Sequence, residues 1–276
     1  MNVLSLFDGM SCGQIALTQL GFKIDNYFAA EIDENAIKVA KDNFPNTIHI
    51  GDVTKVKGSE LPKIDLLIGG SPCQGFSFAG KKLNFDDPRS ALFFEFVRLL
   101  KETNPKYFLL ENVKMDKKCQ DVITEYLGVK PIIINSSLLS AQNRVRLYWT
   151  NIPSIEQPQD KGILFKDILN PIYDFKPLTK WFFSTWGTKQ KINMLRTIDA
   201  TKSFCVTTNK SHSKNYYLNS DKTMARMLER DEIEKLQTLP EGYTKIVSKT
   251  DAHKMIGNGW TVEVIKHIFR NMNELS

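Results

Sequence analysis

An α/β fold is the reading that best fits the 276 residues, and three observations predict it. Short apolar strands alternate with helical patterns through the first 150 residues, the rhythm of a mostly parallel sheet covered by helices. The first strand, NVLSLF at 2–7, runs into a glycine-containing turn, Asp8 to Gly13, and then into a helix pattern ending near Leu20. The rhythm stops after about residue 150, where prolines (Pro153, Pro158, Pro171, Pro177), aromatics and lysines replace it. The expected architecture is therefore a Rossmann-like sheet with helices on both faces, plus a small, mostly β or irregular domain. The boundaries are 1–150 with 253–276 for the first and 151–252 for the second, with a basic core at 151–222.

The elements follow in order. Strand–turn–helix opens a nucleotide-binding βαβ unit, although Gly9 and Gly13 are four apart, which disfavours the GxGxxG turn of a dehydrogenase. A second strand, NYFAAEI, ends near Glu31, 22 positions after Gly9, a distance that suits a ribose hydroxyl pair; the alternative is an acid at a helix start. A helix over 34–44 runs to Pro45, and a short strand (TIHI) leads to Gly51 and Asp52. A buried strand, IDLLI at 64–68, stops at Gly69 and Gly70, and Pro72 then stiffens the approach to Cys73. Cys73 reads either as a small buried hydrophobe or as a nucleophile at the carboxyl end of a strand. The polar, glycine-rich sequence after it favours an accessible thiol. Residues 76–90 form a long polar loop of the kind that is often functional.

A helix over 91–103 and a strand over 107–110 place Glu111 at the same edge as Cys73, Asp52 and Glu31. A helix over 119–127 and a strand over 131–134 come next. In SAQNRVRLYWT, Gln142, Arg144 and Arg146 alternate, which predicts one face of a strand. Trp181, Phe182, Phe183 and Trp186 suggest a small core. The stretch from Cys205 to Tyr217 suits a loop or ribbon lying against a groove. Residues 224–239 predict a charged helix ending at Pro240, and Ile256 to Thr261 predict the opening of a last helix, VEVIKHIFRN.

Composition bounds the function. No run of about 18 apolar residues exists, so no membrane span is expected. Met1 leads straight into a strand, without the pattern of a secretory signal. The four cysteines lack metal spacing, which suggests free thiols in a reducing cytoplasm and no metal site. The net charge is +6, and it is uneven: 151–222 carries 11 Lys+Arg against 6 Asp+Glu, whereas 1–150 carries 18 against 17. That middle segment is either an electrostatic footprint for a polyanion or a solvated surface.

The pieces FDGMSCG, AAEID, GDV, GGSPCQGFS, ENV at 111–113, QNRVR at 142–146, RMLERDEIEKLQTLP and IGNGWTV, in this order, resemble the DNA cytosine-5 methyltransferases over nearly the whole chain. Cys12 departs from the usual glycine of the first loop, and Ile32 stands where some relatives carry tryptophan. The resemblance implies a sheet of the S-adenosylmethionine-dependent methyltransferase type with a target-recognition region. It implies methyl transfer from S-adenosyl-L-methionine to C5 of cytosine in a short specific site in double-stranded DNA, through a Cys73–C6 adduct on a flipped base. Glu111 would hydrogen-bond N3 and the exocyclic amine. Arg144 would favour the thiolate and hold the O2 edge, with Gln142 and Arg146 bracing strand and loop.

The same resemblance implies a cofactor site of Phe7, Asp8, Gly9, Met10, Ser11, Cys12, Gly13, Glu31 on the ribose, Ile32 and Val53 against the adenine, Asp52 on its amino group, Ser71, Pro72, Asn258, Gly259 and Trp260. DNA contacts are expected from Gln74, Ser77, Arg89, Asn209, Lys210, Ser211, His212 and Lys214. A monomeric bacterial or phage enzyme in the cytoplasm is expected. A tRNA cytosine-5 methyltransferase and a catalytically silent DNA-binding relative stay open as alternatives.

Overall fold

A computed structural model describes residues 1–71, 88–178, 195–208 and 215–272, with the side chains of 88–90 left aside. The chain forms two compact units, one of 1–134, 145–157 and 264–276, the other of 135–144 and 158–263. The division gives 135–144 and 253–263 to the second unit and 151–157 to the first, unlike the boundaries expected from the sequence.

The first unit is built on β1 (Asn2–Leu6), α1 (Cys12–Gln19), β2 (Asn26–Ala30), α2 (Glu34–Asn43), β3 (Ile48–His49), β4 (Leu66–Gly69), α3 (Pro88–Thr103), β5 (Tyr107–Val113), α4 (Lys117–Leu127), β6 (Ile132–Asn135) and β7 (Val145–Thr150). The strands form one sheet in the order β3-β2-β1-β4-β5-β7-β6, and it is a Rossmann-like sheet flanked by helices. Strands β1 to β5 are parallel, and β7 runs antiparallel to β5. The central strands are buried on both faces, so they read as unbroken apolar runs rather than as alternation. Leu4, Leu6, Phe28 and Leu67 pack with Phe93, Phe96 and Leu99 of α3 and Ile123 of α4. Gly69 is required where β4 ends: a Cβ there would lie 3.0 Å from the Phe96 ring and 3.1 Å from the Leu6 carbonyl oxygen.

The ladders stop in line. Leu6 pairs with Ala30 and with Gly69, and Gly69 pairs with Leu110. Phe7 and Asp8, Glu31, and Gly70 and Ser71 therefore leave the sheet at one edge, and Glu111 follows Leu110 at the same level within β5. At the carboxyl ends of parallel strands such a row is the usual place for a ligand. β5 is longer than expected, because β7 continues the ladder past Leu110: Glu111 faces Tyr148, Asn112 faces Leu147 and Val113 faces Arg146.

The second unit holds α5 (Phe165–Ile168), β8 (Lys176–Pro177), β9 (Arg196–Thr197), β10 (Tyr216–Leu218), β11 (Met224–Met227), α6 (Arg230–Leu236) and α7 (Lys249–Asn258), and α8 (Val262–Phe269) begins in it. Its sheet has the order β8-β11-β10-β9. The helix expected over 224–239 is instead a strand and a shorter helix. Met224–Met227 pairs with β10 and buries Ala225 beside Leu195 and Leu218, so sheet pairing overrides the helical pattern. Ile256, Gly257 and Asn258 close α7 rather than open the last helix, which starts at Val262. The aromatic cluster Trp181, Phe182, Phe183 and Trp186 lies outside the described residues. Among the described residues no helix is long and apolar enough to cross a membrane.

Candidate active site

The first unit gathers a turn, two carboxylates and an ion pair at the carboxyl edge of its sheet. The turn runs from Phe7 to Gly13. Phe7, Gly9 and Ser11 have left-handed φ values of 56°, 58° and 63°, a region that costs a residue with a side chain about 1–2 kcal/mol. Nothing lies within 4 Å of where a Gly9 Cβ would be, so the backbone there borders open space. Met10, Ser11 and Cys12 are buried and support the turn from below. Cys12, a small side chain in place of the usual glycine, is accommodated at the start of α1.

Glu31 stands at the end of β2 facing the turn. Its Oε2 accepts from the Gly9 N–H at 2.7 Å, and its Oε1 accepts from the N–H groups of Ile32 and Asp33 at 2.8 Å each. The Ile32 side chain beside it is 74% exposed, a large apolar surface with no core to cover it. Asp33, not Glu31, caps α2. Asp52 caps the short 3-10 turn Val53–Lys55 through the Thr54 N–H at 2.9 Å. That backbone hydrogen bond holds its carboxyl below the usual range. Val53 is committed to the core, so of the two residues expected to pack an adenine only Ile32 presents a free apolar face. Open backbone at Gly9, an acceptor at Glu31 and an apolar surface at Ile32 fit a nucleoside-bearing cofactor such as S-adenosylmethionine.

Glu111 is buried and forms an ion pair with Arg146, Oε1 to Nε 3.0 Å, with side chains 10% and 14% exposed. The next residue, Asn112, donates from Nδ2 to the Ser71 carbonyl at 3.2 Å. Ser71 is the last described residue before Pro72 and Cys73. Asn112 thus ties the chain that leads to Cys73 against the strand that carries Glu111. In the sequence Asn112 is signalled only by its place inside ENV beside Glu111. Asn112→Ala should lower methyl transfer about tenfold or more through misplacement of the Cys73 segment. The measurement is single-turnover methylation with a matched thermal melt; an unchanged rate would remove Asn112 from the site.

Of the two arginines, Arg146 is the one ion-paired to Glu111. Arg144 is buried in the second unit, and its terminal nitrogens are spent on protein acceptors. Nη1 reaches Cys205 Sγ (3.2 Å) and the Val206 carbonyl (3.3 Å), and Nη2 reaches the carbonyls of Gly257 (3.2 Å) and Gly259 (2.7 Å). Gln142 is likewise structural. It is fully buried, donates to Leu236 O and Gln237 Oε1, and accepts from the Val206 N–H. Gln237 Oε1 also accepts from the Thr261 hydroxyl. Gln142, Arg144 and Arg146 do not share a strand face: β7 starts only at Val145, and Gln142 forms an isolated bridge with Ser203.

Asn258, Gly259 and Trp260 lie in the second unit, at the end of α7; Asn258 is exposed, and Gly259 is held through its carbonyl. Cys73, Pro72, Gln74 and Ser77, with Asn209, Lys210, Ser211, His212 and Lys214, lie outside the described residues, as do most of the 76–90 loop and the side chain of Arg89.

Comparison with known proteins shows what the chain is similar to. The family model for "C-5 cytosine-specific DNA methylase" matches residues 1–154 and 178–274. The chain is 32% identical over 312 residues to the type II methyltransferase M1.ScrFI of Lactococcus lactis subsp. cremoris, covering 99% of this chain and 78% of that protein. It is 34% identical to the orphan methyltransferase M.SPRI of Bacillus phage SPR, over 81% of this chain and 53% of that protein. The chain spans half or less of several other relatives. In fold it is similar to the Entamoeba histolytica methyltransferase EhMeth, with TM-score 0.80, 18% identity and 99% of each chain covered. The strand order, the turn after β1 and the matched residues lead to one statement of kinship: this chain belongs to the C-5 cytosine-specific DNA methylase family.

Proposed function

We propose that the protein transfers a methyl group from S-adenosyl-L-methionine to C5 of a cytosine flipped out of a short specific site in double-stranded DNA. The observation that carries this reading is the Glu111–Arg146 pair on the strand whose next residue, Asn112, is hydrogen-bonded to Ser71, two positions before Cys73 in sequence. Bound S-adenosylmethionine supplies an electrophilic methyl group on a sulfonium. Glu31 would hold the ribose hydroxyls, Ile32 would cover one adenine face, Asp52 would accept from the adenine amine, and the open backbone at Gly9 would leave room for close approach.

Cytosine C5 is a poor nucleophile until a group adds at C6. The Cys73 thiolate makes that bond, and the electron pair of the C5–C6 double bond becomes available at C5. The exocyclic amine donates to the Glu111 carboxylate, and N3, which takes up a proton from solvent as addition puts negative charge on the ring, donates its N–H to the same carboxylate. Arg146 holds the Glu111 carboxylate in one orientation and offsets its charge. C5 would take the methyl group as its bond to the sulfonium breaks, leaving a neutral thioether; a solvent base then takes the C5 proton, the C5–C6 double bond re-forms and the C6–S bond breaks, which returns the thiolate.

A base inside a duplex cannot reach such a site, and flipping it costs a few kcal/mol. The 151–222 segment, with five excess positive charges, would supply phosphate contacts and base reading from the second unit.

Bisulfite sequencing of plasmid DNA from a host expressing the chain tests the reading and reports the target site; labelled methyl incorporation into tRNA beside duplex DNA separates the transfer-RNA alternative. Cys73→Ser should reduce turnover below detection and keep DNA affinity within about twofold. Turnover at the wild-type rate in that variant would refute the nucleophile.

A further inference from the structure

Asp8 lies within the cofactor turn, yet its carboxylate is spent on the protein's own hydroxyls. Oδ1 accepts from Ser5 Oγ at 2.6 Å and from Tyr27 Oη at 2.7 Å, and Oδ2 accepts from Ser11 Oγ. Its backbone is equally engaged: the N–H donates to Ala30 O at 3.2 Å, and the carbonyl accepts from the Ser11 N–H at 3.1 Å. Ser5 and Tyr27 are buried side chains of β1 and β2. One acid therefore joins two strands of the sheet to the residue that starts α1.

Two of the three left-handed residues around it, Phe7 and Ser11, carry side chains and would relax elsewhere if freed. Ser11 is gripped by Asp8 at both its N–H and its hydroxyl. The Gly9 N–H, fixed by this arrangement, donates to Glu31 Oε2. A change at Asp8 would thus reach Glu31 through one intervening residue.

We propose that Asp8 is the positioning residue of the methyl-donor turn: its carboxylate locks the left-handed backbone that presents Gly9 and aims Glu31. The inference rests on the cofactor reading above and names the device that makes the site. It also couples the site to pH. Burial is the largest influence and pushes the Asp8 carboxyl up to about 6, the three hydroxyls oppose that shift, and the like charge of Glu31 adds to it. When Asp8 is protonated, at least one of the three hydroxyls must turn its hydrogen elsewhere, and the lock loosens. The ionised form favours the bound cofactor, so affinity falls as pH drops through about 6.

The test is S-adenosylhomocysteine titration by calorimetry from about pH 5 to about pH 8, on wild type, Asp8→Ala, Asp8→Asn and Ser11→Ala. Asp8→Ala should bind about tenfold more weakly at neutral pH. Asp8→Asn should lose the fall in affinity on the acid side. Adding Ser11→Ala to Asp8→Ala should cost no further affinity, because both remove one link. A folded Asp8→Ala that binds as wild type does, with the same pH profile, overturns the proposal. So does one that loses S-adenosylhomocysteine and duplex DNA in equal measure, which would mark a scaffold residue. If Asp8→Ala does not fold, Asp8→Asn and Ser11→Ala decide the matter. Absence of binding by wild type at every pH would sink the cofactor reading itself, a separate result.

Discussion

Arg146→Ala should slow methyl transfer by about 10²–10³-fold, the scale seen when one preorganised electrostatic partner is removed from a site. The variant leaves the Glu111 carboxylate buried at the sheet edge without the guanidinium that now lies 3.0 Å away. Removing one member of a buried pair costs about 3–5 kcal/mol, because the remaining charge is uncompensated. Much of that cost should be relieved by water entering at Glu111, and a hydrated carboxylate no longer holds one orientation toward the pyrimidine. Glu111→Gln approaches the same point from the other side: the shape is kept, and Arg146 loses its counter-charge. The double variant should therefore be less impaired than the sum of the single ones, since each removes the same pair. The readout is single-turnover methylation of a cognate duplex at saturating cofactor. A rate for Arg146→Ala within threefold of wild type, with the fold intact, would take the pair out of the chemistry.

The expected shared face of Gln142, Arg144 and Arg146 also shows what the sequence could carry. QNRVR has the alternation of a strand, and the alternation says only that Gln142, Arg144 and Arg146 share a side if the strand includes them all. Where the strand begins is decided by its partner. β5 offers its ladder only as far as Val113 opposite Arg146. Residues beyond that point turn away, and Arg144 and Gln142 find carbonyls of the second unit, contacts from 62 to 115 positions away in sequence. The helix expected over 224–239 failed for a related reason, since β10 recruited Met224–Met227.

The first unit was more legible because its signals are local. β1, the turn and α1 are adjacent in sequence, and Glu31 follows at the end of the next strand. Asp8 sits between these cases. Its place in the turn is evident from the motif, but its partners Ser5 and Tyr27 are hydroxyls on two strands, and nothing in their spacing marks them.

Gly257→Ala should be the most damaging single methyl group that can be added to the second unit. A Cβ at this position would lie 2.6 Å from both the carbonyl carbon and oxygen of Thr207 and 2.7 Å from the Thr208 nitrogen. All three atoms are backbone, so no rotamer change relieves the clash, and either α7 or the 203–208 segment must move. That movement is opposed by Arg144, which binds Val206 O on one side and Gly257 O on the other. Overpacking of this kind costs about 1–3 kcal/mol and more where relaxation is blocked, and here the Arg144 contacts block it. At about 2–4 °C per kcal/mol for a chain of this size, the melting temperature should fall by about 5–10 °C. Pairing the change with Arg144→Ala separates two explanations. If the arginine clamps the segment against α7, the double variant relaxes more easily and the costs fall short of additive. Full additivity would mean that the close approach at Gly257 is maintained by something other than Arg144, and a melting temperature unchanged by Gly257→Ala would show that the two segments are not in contact in solution.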